Sequence, residues 1–96
     1  PKVYYRNIPG RFIAGTVYDP EEEEVIKGAK CHLTNGAKTW DTETDAFGDF
    51  WFRDLPRGLF ALTVEAEGFD ELQFQEIDTK GNSINLGDQP MNRRKA

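Results

Sequence analysis

The sequence has little of what catalytic and metal sites are most often built from. Its 96 residues include one cysteine, Cys31, and one histidine, His32. A single cysteine excludes an internal disulfide, and it also excludes a thiolate zinc site or an iron–sulfur cluster built from this chain alone. The fold must therefore depend on the packing of apolar side chains.

Long apolar runs and an excess of positive charge are also missing. No segment approaches the roughly 20 apolar residues that cross a bilayer, and no basic start precedes an apolar signal-peptide core. The 17 acidic residues outnumber the 12 lysines and arginines, and the resulting net charge of -5 repels a phosphate backbone. We expect no direct membrane insertion and no nucleic-acid partner, and the sequence indicates no compartment.

Short alternating runs of apolar and polar residues dominate the chain, and Gly, Asn, Asp and Pro separate them. They recur roughly every 8 to 12 residues, a spacing typical of all-β sandwiches and barrels. Large rings supply core volume, since the chain contains 7 Phe, 3 Tyr and 2 Trp. The pattern predicts seven strands, near residues 12–18, 29–34, 38–44, 49–53, 59–66, 72–77 and 83–86.

Alternation also assigns faces, because successive side chains on a strand point to opposite sides of the sheet. Leu55 and Phe69 stand in connections but are large and apolar, so we expect them to close the two ends of the molecule. The side chains expected to face inward are Ile13, Val17, Ala29, Cys31, Leu33, Phe50, Phe52, Phe60, Leu62, Val64, Ile84 and Leu86.

The expected organisation is one domain with short flanking segments. Residues 12–88 form the β-sandwich, residues 1–11 are a linker or junction to an upstream domain, and residues 89–96 are a C-terminal tail. The chain starts at Pro1 without an initiator methionine, which favours an excerpt of a larger protein. The expected partners are upstream domains of the same polypeptide or a partner subunit.

Glycines and apolar residues follow a series of spaced motifs: Gly15-x-Val17-x-Asp19, Gly28-Ala29, Thr44-Asp45-x-x-Gly48-x-Phe50-x-Phe52, Leu55-Pro56-x-Gly58-x-Phe60-x-Leu62-x-Val64 and Gly68-Phe69. This series resembles the carboxypeptidase regulatory-like domains, which belong with the transthyretin-like and collagen-adhesin B-type modules. The resemblance implies an all-β, seven-stranded Greek-key β-sandwich of the transthyretin (prealbumin) type. It implies no reaction, because a fold of this kind is a scaffold.

A second resemblance concerns the segment Val3-Tyr4-Tyr5-Arg6-Asn7-Ile8-Pro9-Gly10-Arg11-Phe12-Ile13-Ala14-Gly15. It is similar to the junction before such a domain at the C-terminus of iron–sulfur electron-transfer subunits. Those subunits partner molybdopterin oxidoreductases of the group that contains pyrogallol–phloroglucinol transhydroxylase. The cluster-binding cysteines are absent from this sequence. Electron transfer could therefore belong only to a parent chain, and we expect no cofactor in this one.

Candidate catalytic pairs fail on placement. Cys31 and His32 are neighbours on a strand, so they face opposite ways. Ser83 is the only serine and lies on the last predicted strand, far along the chain from His32 on the second.

The sandwich also resembles two enzyme classes. Intradiol dioxygenases hold iron with two Tyr and two His, and 5-hydroxyisourate hydrolases need several His and Arg and a Tyr-Arg-Gly-Ser ending. This chain has neither set, so we predict no catalytic residue.

Residues 21–24 are four consecutive glutamates, whose carboxylates could in principle bind a calcium ion. This run lacks the interspersed Asp, Asn and Gly of a loop that wraps the ion, so a solvated acidic loop is the main expectation and weak calcium binding the alternative. No metal ligand is assigned.

Antiparallel strand order should gather acidic residues at one end of the sandwich, together with the C-terminal arginines. This acidic pole comprises Asp19, Glu21, Glu22, Glu23, Glu24, Asp45, Asp70 and Glu71.

Two functions from different classes remain open. The first is a non-catalytic structural or interaction module, with Trp51 as the main interface residue because it faces away from Phe50 and Phe52. Tyr18 and Trp40 are further interface candidates. The alternative is a ligand-binding module of the carbohydrate type, which would use exposed Trp40 or Trp51 as a stacking platform.

Overall fold

The computed structural model describes residues 11–94, which form eight β-strands and no helix. No helix that could span a membrane is therefore found in this part of the chain. Residues 3–10 of the junction segment and residues 1–10 of the expected linker lie outside the described residues, whereas residues 11–15 belong to the first strand. The strands are β1 (Arg11–Asp19), β2 (Glu24–Val25), β3 (Lys30–Thr34), β4 (Thr39–Glu43), β5 (Asp49–Leu55), β6 (Leu59–Glu65), β7 (Leu72–Asp78) and β8 (Ile84–Pro90).

The strands form two four-stranded sheets that pack face to face as an all-β sandwich. In the first sheet β1 is central, because β5 and the short β2 pair with one of its edges in antiparallel orientation and β8 pairs with the other in parallel orientation. The second sheet has the order β4-β3-β6-β7 and is antiparallel throughout. All seven predicted strands are present. The additional strand, β2, has only two residues, too few to show alternation.

The core lies between the two sheets. Of the predicted inward residues, all are buried except Ile84 and Leu86, which are partly buried and pack against the same cluster. Leu55 is fully buried in the core, and Phe69 is partly buried against it. Ile26, Ile77 and Met91 also belong to the core but were not predicted. Full burial of one Val, Leu, Ile or Met side chain stabilises the fold by roughly 1.5 to 3 kcal/mol.

The sandwich extends past the expected boundary at residue 88. Strand β8 continues to Pro90, and Met91 is fully buried with its N–H donating to the carbonyl of Tyr18 at 2.9 Å. A bulge explains why the sequence did not show this, since the pairing of β8 with β1 shifts register around Gly87, which has a φ of 74°. Residues 89–94 are therefore part of the fold rather than a tail.

The turn between β4 and β5 shows why the motif Thr44-Asp45-x-x-Gly48 is needed. The Asp45 carboxylate accepts hydrogen bonds from the N–H groups of Phe47 and Asp49 at 2.9 and 3.0 Å, which fixes the turn. Gly48 has a φ of 78°, and a Cβ there would lie 2.7 Å from the carbonyl oxygen of Val17. Only glycine satisfies both the left-handed backbone and the close approach to β1.

We expect Gly48→Ala to lower the free energy of unfolding by roughly 2 to 5 kcal/mol, because positive φ costs roughly 1 to 2 kcal/mol and overpacking adds roughly 1 to 3. Gly36→Ala is the matched control. Gly36 also has positive φ, at 93°, but a Cβ there meets nothing within 4 Å, so only the backbone cost of roughly 1 to 2 kcal/mol applies. Urea denaturation of both variants measures the difference, and equal losses would contradict the packing argument.

Candidate functional site

Aromatic side chains occupy the outer face of the first sheet. Phe50 and Phe52 face the core, so Trp51 between them points outward and is 45% exposed. Its ring centroid lies 5.6 Å from that of Phe12 on β1, and the Arg53 guanidinium lies 5.1 Å from the Trp51 centroid. We call Phe12, Trp51 and Arg53 the aromatic face. An exposed tryptophan with a cation stacked on it is a typical composition for the centre of a protein interface.

The outer face of the second sheet has the opposite character. Its most central side chain is His32 on β3, whose Nδ1 contacts the Asp41 carboxylate and whose Nε2 lies 4.0 Å from Glu65. Charged and hydroxyl side chains surround it. The outward residues of β3, β4 and β6 include Lys30, Thr34, Thr39, Glu43 and Thr63. This face is mostly polar, although Leu59 at the start of β6 is 48% exposed on it, so the aromatic face is what distinguishes one side of the sandwich from the other.

Cys31 lies on the inner side of the same strand as His32 and is fully buried. Its Sγ is 3.7 Å from the carbonyl oxygen of Ala29, and burial, with a smaller effect of the Glu43 charge, raises the pKa of the thiol to about 12. A thiol with so high a pKa is not a thiolate nucleophile near neutral pH. Because Cys31 is buried and His32 is exposed, the two neighbours face opposite sides of the sheet, as alternation predicts.

The other two aromatic candidates do not join Trp51. Trp40 lies on the inner side of β4, with its ring 5.5 Å from that of Phe60, and packs against the core. Tyr18 lies on the same outer face as Trp51 but further along β1, beside Val25 on β2. The hydrogen-bonded pair of Thr16 and Asp49 separates Tyr18 from the aromatic face.

The residues of the predicted acidic pole lie at one end of the sandwich. Residues 21–24 follow β1 directly, and the turn holding Asp45 is bonded to β1 through the Gly48 carbonyl and the Val17 N–H at 2.9 Å. The loop holding Asp70 and Glu71 joins the same end, because the Asp70 N–H donates to the Asn92 carbonyl at 2.8 Å.

The opposite end holds the start of β1. There the Nε of Arg11 donates to the carbonyl of Thr79 at 3.2 Å, next to the turn that carries Lys80. Arg53 lies on the part of β5 that pairs with the start of β1, and its guanidinium belongs to the aromatic face.

Asp19 and Arg93 form the main ion pair of the acidic end. The Arg93 Nη2 and Nε donate to Asp19 Oδ2 at 2.6 and 3.0 Å, and the carboxylate residue is only 4% exposed. Its Oδ1 accepts from the N–H groups of Glu21 and Glu22 at 2.9 and 3.4 Å. Burial alone would raise the pKa of Asp19, but these hydrogen bonds outweigh it and the pKa is lowered.

The same pairing raises the pKa of Arg93 and fixes the C-terminal segment. The Arg93 guanidinium also lies 5.5 Å from the ring centroid of Phe69. The Arg94 N–H donates to the carbonyl of Gly68 at 2.8 Å. The C-terminal residues therefore connect the end of β1 to the loop between β6 and β7 and partly neutralise the carboxylates there.

Sequence reasoning missed three exposed apolar side chains, Val25, Phe47 and Leu59, and it also missed the partly buried Phe12 of the aromatic face. Phe47 is 72% exposed at the tip of the β4–β5 turn, and Val25 is also exposed. The signal for Phe47 was available, since a large ring between Asp45 and Gly48 occupies a turn position that favours polar residues. Phe12 could have been assigned from its alternation with the inward Ile13.

No group of three or more His, Cys, Asp or Glu within residues 11–94 is arranged to hold a metal ion. The carboxylates of the acidic end are instead spread over several loops, and Asp19 is already bonded to Arg93.

Residues 13–88, nearly the whole described sandwich, match the family model of the carboxypeptidase regulatory-like domain. The chain belongs to this family. The resemblance drawn from the spaced glycine and phenylalanine motifs is thereby confirmed.

Among characterised relatives, the pyrogallol hydroxytransferase small subunit of Pelobacter acidigallici is 32% identical over 92 residues. The match covers 91% of this chain but 32% of the relative, so this domain spans about a third of that subunit's length.

Solved structures share the fold at low identity. BcpA, the major pilin subunit of Bacillus cereus, has a TM-score of 0.65 at 14% identity, covering 90% of this chain and 31% of the pilin. The 5-hydroxyisourate hydrolase of Klebsiella pneumoniae has a TM-score of 0.61 at 16% identity, covering 92% and 96% of the two chains. At these identities the likeness shows the sandwich fold alone, as the resemblance implied.

Replacing Arg93 with Met tests the ion pair at the acidic end. Because the pKa of Asp19 is lower in the folded chain than the unfolded value of about 3.9, the pairing stabilises the fold above that pH, and this contribution is lost as pH falls through the folded pKa. In Arg93→Met we expect the pKa of Asp19 to rise, followed by carboxyl-carbon NMR titration. In the unchanged chain the free energy of unfolding rises as the pH increases from about 3 to 6, and in the variant this rise should be smaller.

The matched control for that variant is Arg94→Met. Arg94 bonds the carbonyl of Phe69 and lies 4.0 Å from Asp70, so its removal should leave the pKa of Asp19 unchanged. An unchanged Asp19 pKa in Arg93→Met would show that the backbone N–H groups alone hold the carboxylate in its ionised form.

Proposed function

We propose that this carboxypeptidase regulatory-like domain is a non-catalytic interaction module that packs its aromatic face against other domains of its own polypeptide or against a partner subunit. The observation that carries the proposal is Trp51, which is 45% exposed on a strand whose other two aromatic residues are buried. A large ring left in water on a well-ordered sheet gains most free energy when a partner covers it.

The neighbours of Trp51 support an interface rather than a chance exposure. Phe12 and Arg53 are both within contact range of the ring, so one compact patch presents an apolar surface and a cation together. Both side chains stand on paired strands of a rigid sheet, which limits the entropy lost on binding. Removing a tryptophan at such a position costs about 2 kcal/mol or more of binding free energy, roughly a thirtyfold loss of affinity.

The wider context comes from the hydroxytransferase relative, in which the matched region is about a third of a longer subunit. We propose by analogy that the domain extends an iron–sulfur subunit of an oxidoreductase complex, where it would contribute contacts and bind no cofactor itself. The analogy agrees with the resemblance of residues 3–15 to the junction in such subunits.

A carbohydrate-binding module is the second candidate, because an exposed tryptophan can stack on a sugar ring. The geometry favours the interface. The Phe12 and Trp51 rings are inclined at 50° to each other and form no flat platform, while Trp40 is occupied by its contact with Phe60.

Hydroxyl-radical footprinting tests the proposed interface. In the isolated chain we expect strong oxidation of Trp51 and weak oxidation of the core residue Trp40. In the native assembly purified from its host, we expect Trp51 to become protected while Trp40 stays weakly oxidised. Equal oxidation of Trp51 in both preparations would rule out this face as an internal contact.

Titration with a glycan panel separates the second candidate from the first. In a Trp40→Phe variant, Trp51 is the only tryptophan, because the chain contains 2, so its fluorescence reports directly on this surface. We expect no saturable change with any glycan. A saturable change that disappears in Trp51→Ala would replace the interface with a sugar site.

A further inference from the structure

A second surface lies on the open side of the sandwich, between strands β7 and β8. These two strands run along neighbouring edges of the two sheets and leave a groove of about 540 Å³. It is distinct from the aromatic face, which lies on the outer side of β1 and β5. The residues that line the groove are Gln73, Phe74, Gln75, Glu76, Ile77, Asp78, Ile84 and Leu86.

The floor of the groove is apolar. Phe74, Ile84 and Leu86 are partly buried and pack against the core, but each keeps part of its surface open. Ile84 and Leu86 were predicted to be inward-facing, and their remaining exposure arises because no described strand covers this side. An apolar floor between two strands offers pockets for alternate side chains of an extended peptide.

The walls of the groove are unpaired strand edges. Within residues 11–94, β7 pairs only with β6 and β8 only with β1, so neither strand has a neighbouring strand along its outer edge. In β8, side chains already bond two backbone groups, the Gly87 N–H and the Leu86 carbonyl. Free edges of this kind are templates for an added strand. Bulges limit how long that strand can be, since Glu76 has a φ of 56° and Gly87 a φ of 74°.

Charge decides which occupant fits. The charged side chains that line the groove, Glu76 and Asp78, are both acidic. A second copy of this chain pairing edge to edge would bring the same carboxylates together, which is unfavourable in a partly desolvated interface. A segment with basic side chains complements them, and the bulges suit a short extended segment better than a long sheet-to-sheet contact.

We propose that the groove between β7 and β8 binds a short extended segment of a partner polypeptide in which apolar and basic side chains alternate. The apolar side chains of that segment lie over Phe74, Ile84 and Leu86, its backbone bonds to a free edge of β7 or β8, and its cations face Glu76 and Asp78. This interaction goes beyond the proposed function, because it uses a different surface and a different chemistry.

The test uses the full chain labelled with nitrogen-15 and the blocked octapeptide (Lys-Val)₄. We expect saturable NMR shifts at the amides of β7 and of residues 84–86, and slower hydrogen exchange at the edge amides of these strands. The peptide (Glu-Val)₄ should bind at least about tenfold more weakly. A (Lys-Val)₄ peptide N-methylated at its valines keeps the charge but loses backbone donors, and it should also bind about tenfold more weakly.

Charge reversal of the groove supplies the matched variants. In the double variant Glu76→Lys, Asp78→Lys the preference should invert, so that (Glu-Val)₄ binds more tightly than (Lys-Val)₄. The control Glu43→Lys, Glu65→Lys changes the net charge by the same amount on the outer face of the second sheet, and it should keep the original preference. Trp51→Ala should leave peptide binding unchanged, so failure of this proposal and failure of the proposed interface are distinguishable.

Three results would overturn the proposal. Shifts confined to residues 21–24 would show non-specific attraction to the acidic end. Sedimentation of the chain as a dimer with concentration-dependent shifts in β7 and β8 would assign the groove to a second copy. Edge amides of β7 and β8 that already exchange slowly in the free full chain would show that its own residues occupy the groove.

Discussion

The rest of the structure depends on the central position of β1, which has paired strands on both edges along most of its length. Its residues 13–16 bond to β5 on one side and β8 on the other, so the first nine described residues organise strands that come from the middle and the end of the chain. Two close contacts make this possible, the Gly48 backbone against Val17 and the Gly15 backbone against the Phe50 ring. The pair of Asp19 and Arg93 then joins the end of β1 to the C-terminal segment.

The two outer faces of the sandwich differ because period-two alternation places different residue types on them. On β5 the order Phe50, Trp51, Phe52 places two rings in the core and one ring, that of Trp51, on the outer face. On β3 the order Lys30, Cys31, His32, Leu33 leaves polar groups outside. A single scaffold can therefore have a polar face, an aromatic face and an open edge between the sheets, without any change in the core that supports all three.

Alternation was enough to predict seven strands and the inward residues, because both depend on local sequence. The bulges at Asp54 and Glu76 were not predictable, since a single aspartate or glutamate in a strand does not specify a positive φ. Met91 was missed because it follows a segment of glycine and proline that is typical of a loop. The inward position of Trp40 follows from its alternation with the charged Asp41 and Glu43, and it was missed. The groove between β7 and β8 depends on how the two sheets meet, which no single strand encodes.

The parallel pairing of β1 and β8 also determines how the domain responds to mechanical load. The described chain enters at Arg11 at one end of the sandwich and leaves past Arg93 at the other, so a pull on the two ends acts along two neighbouring strands in opposite directions. The hydrogen bonds between β1 and β8 are then sheared together and not opened one after another. Such a geometry resists extension along the line from Arg11 to Arg93.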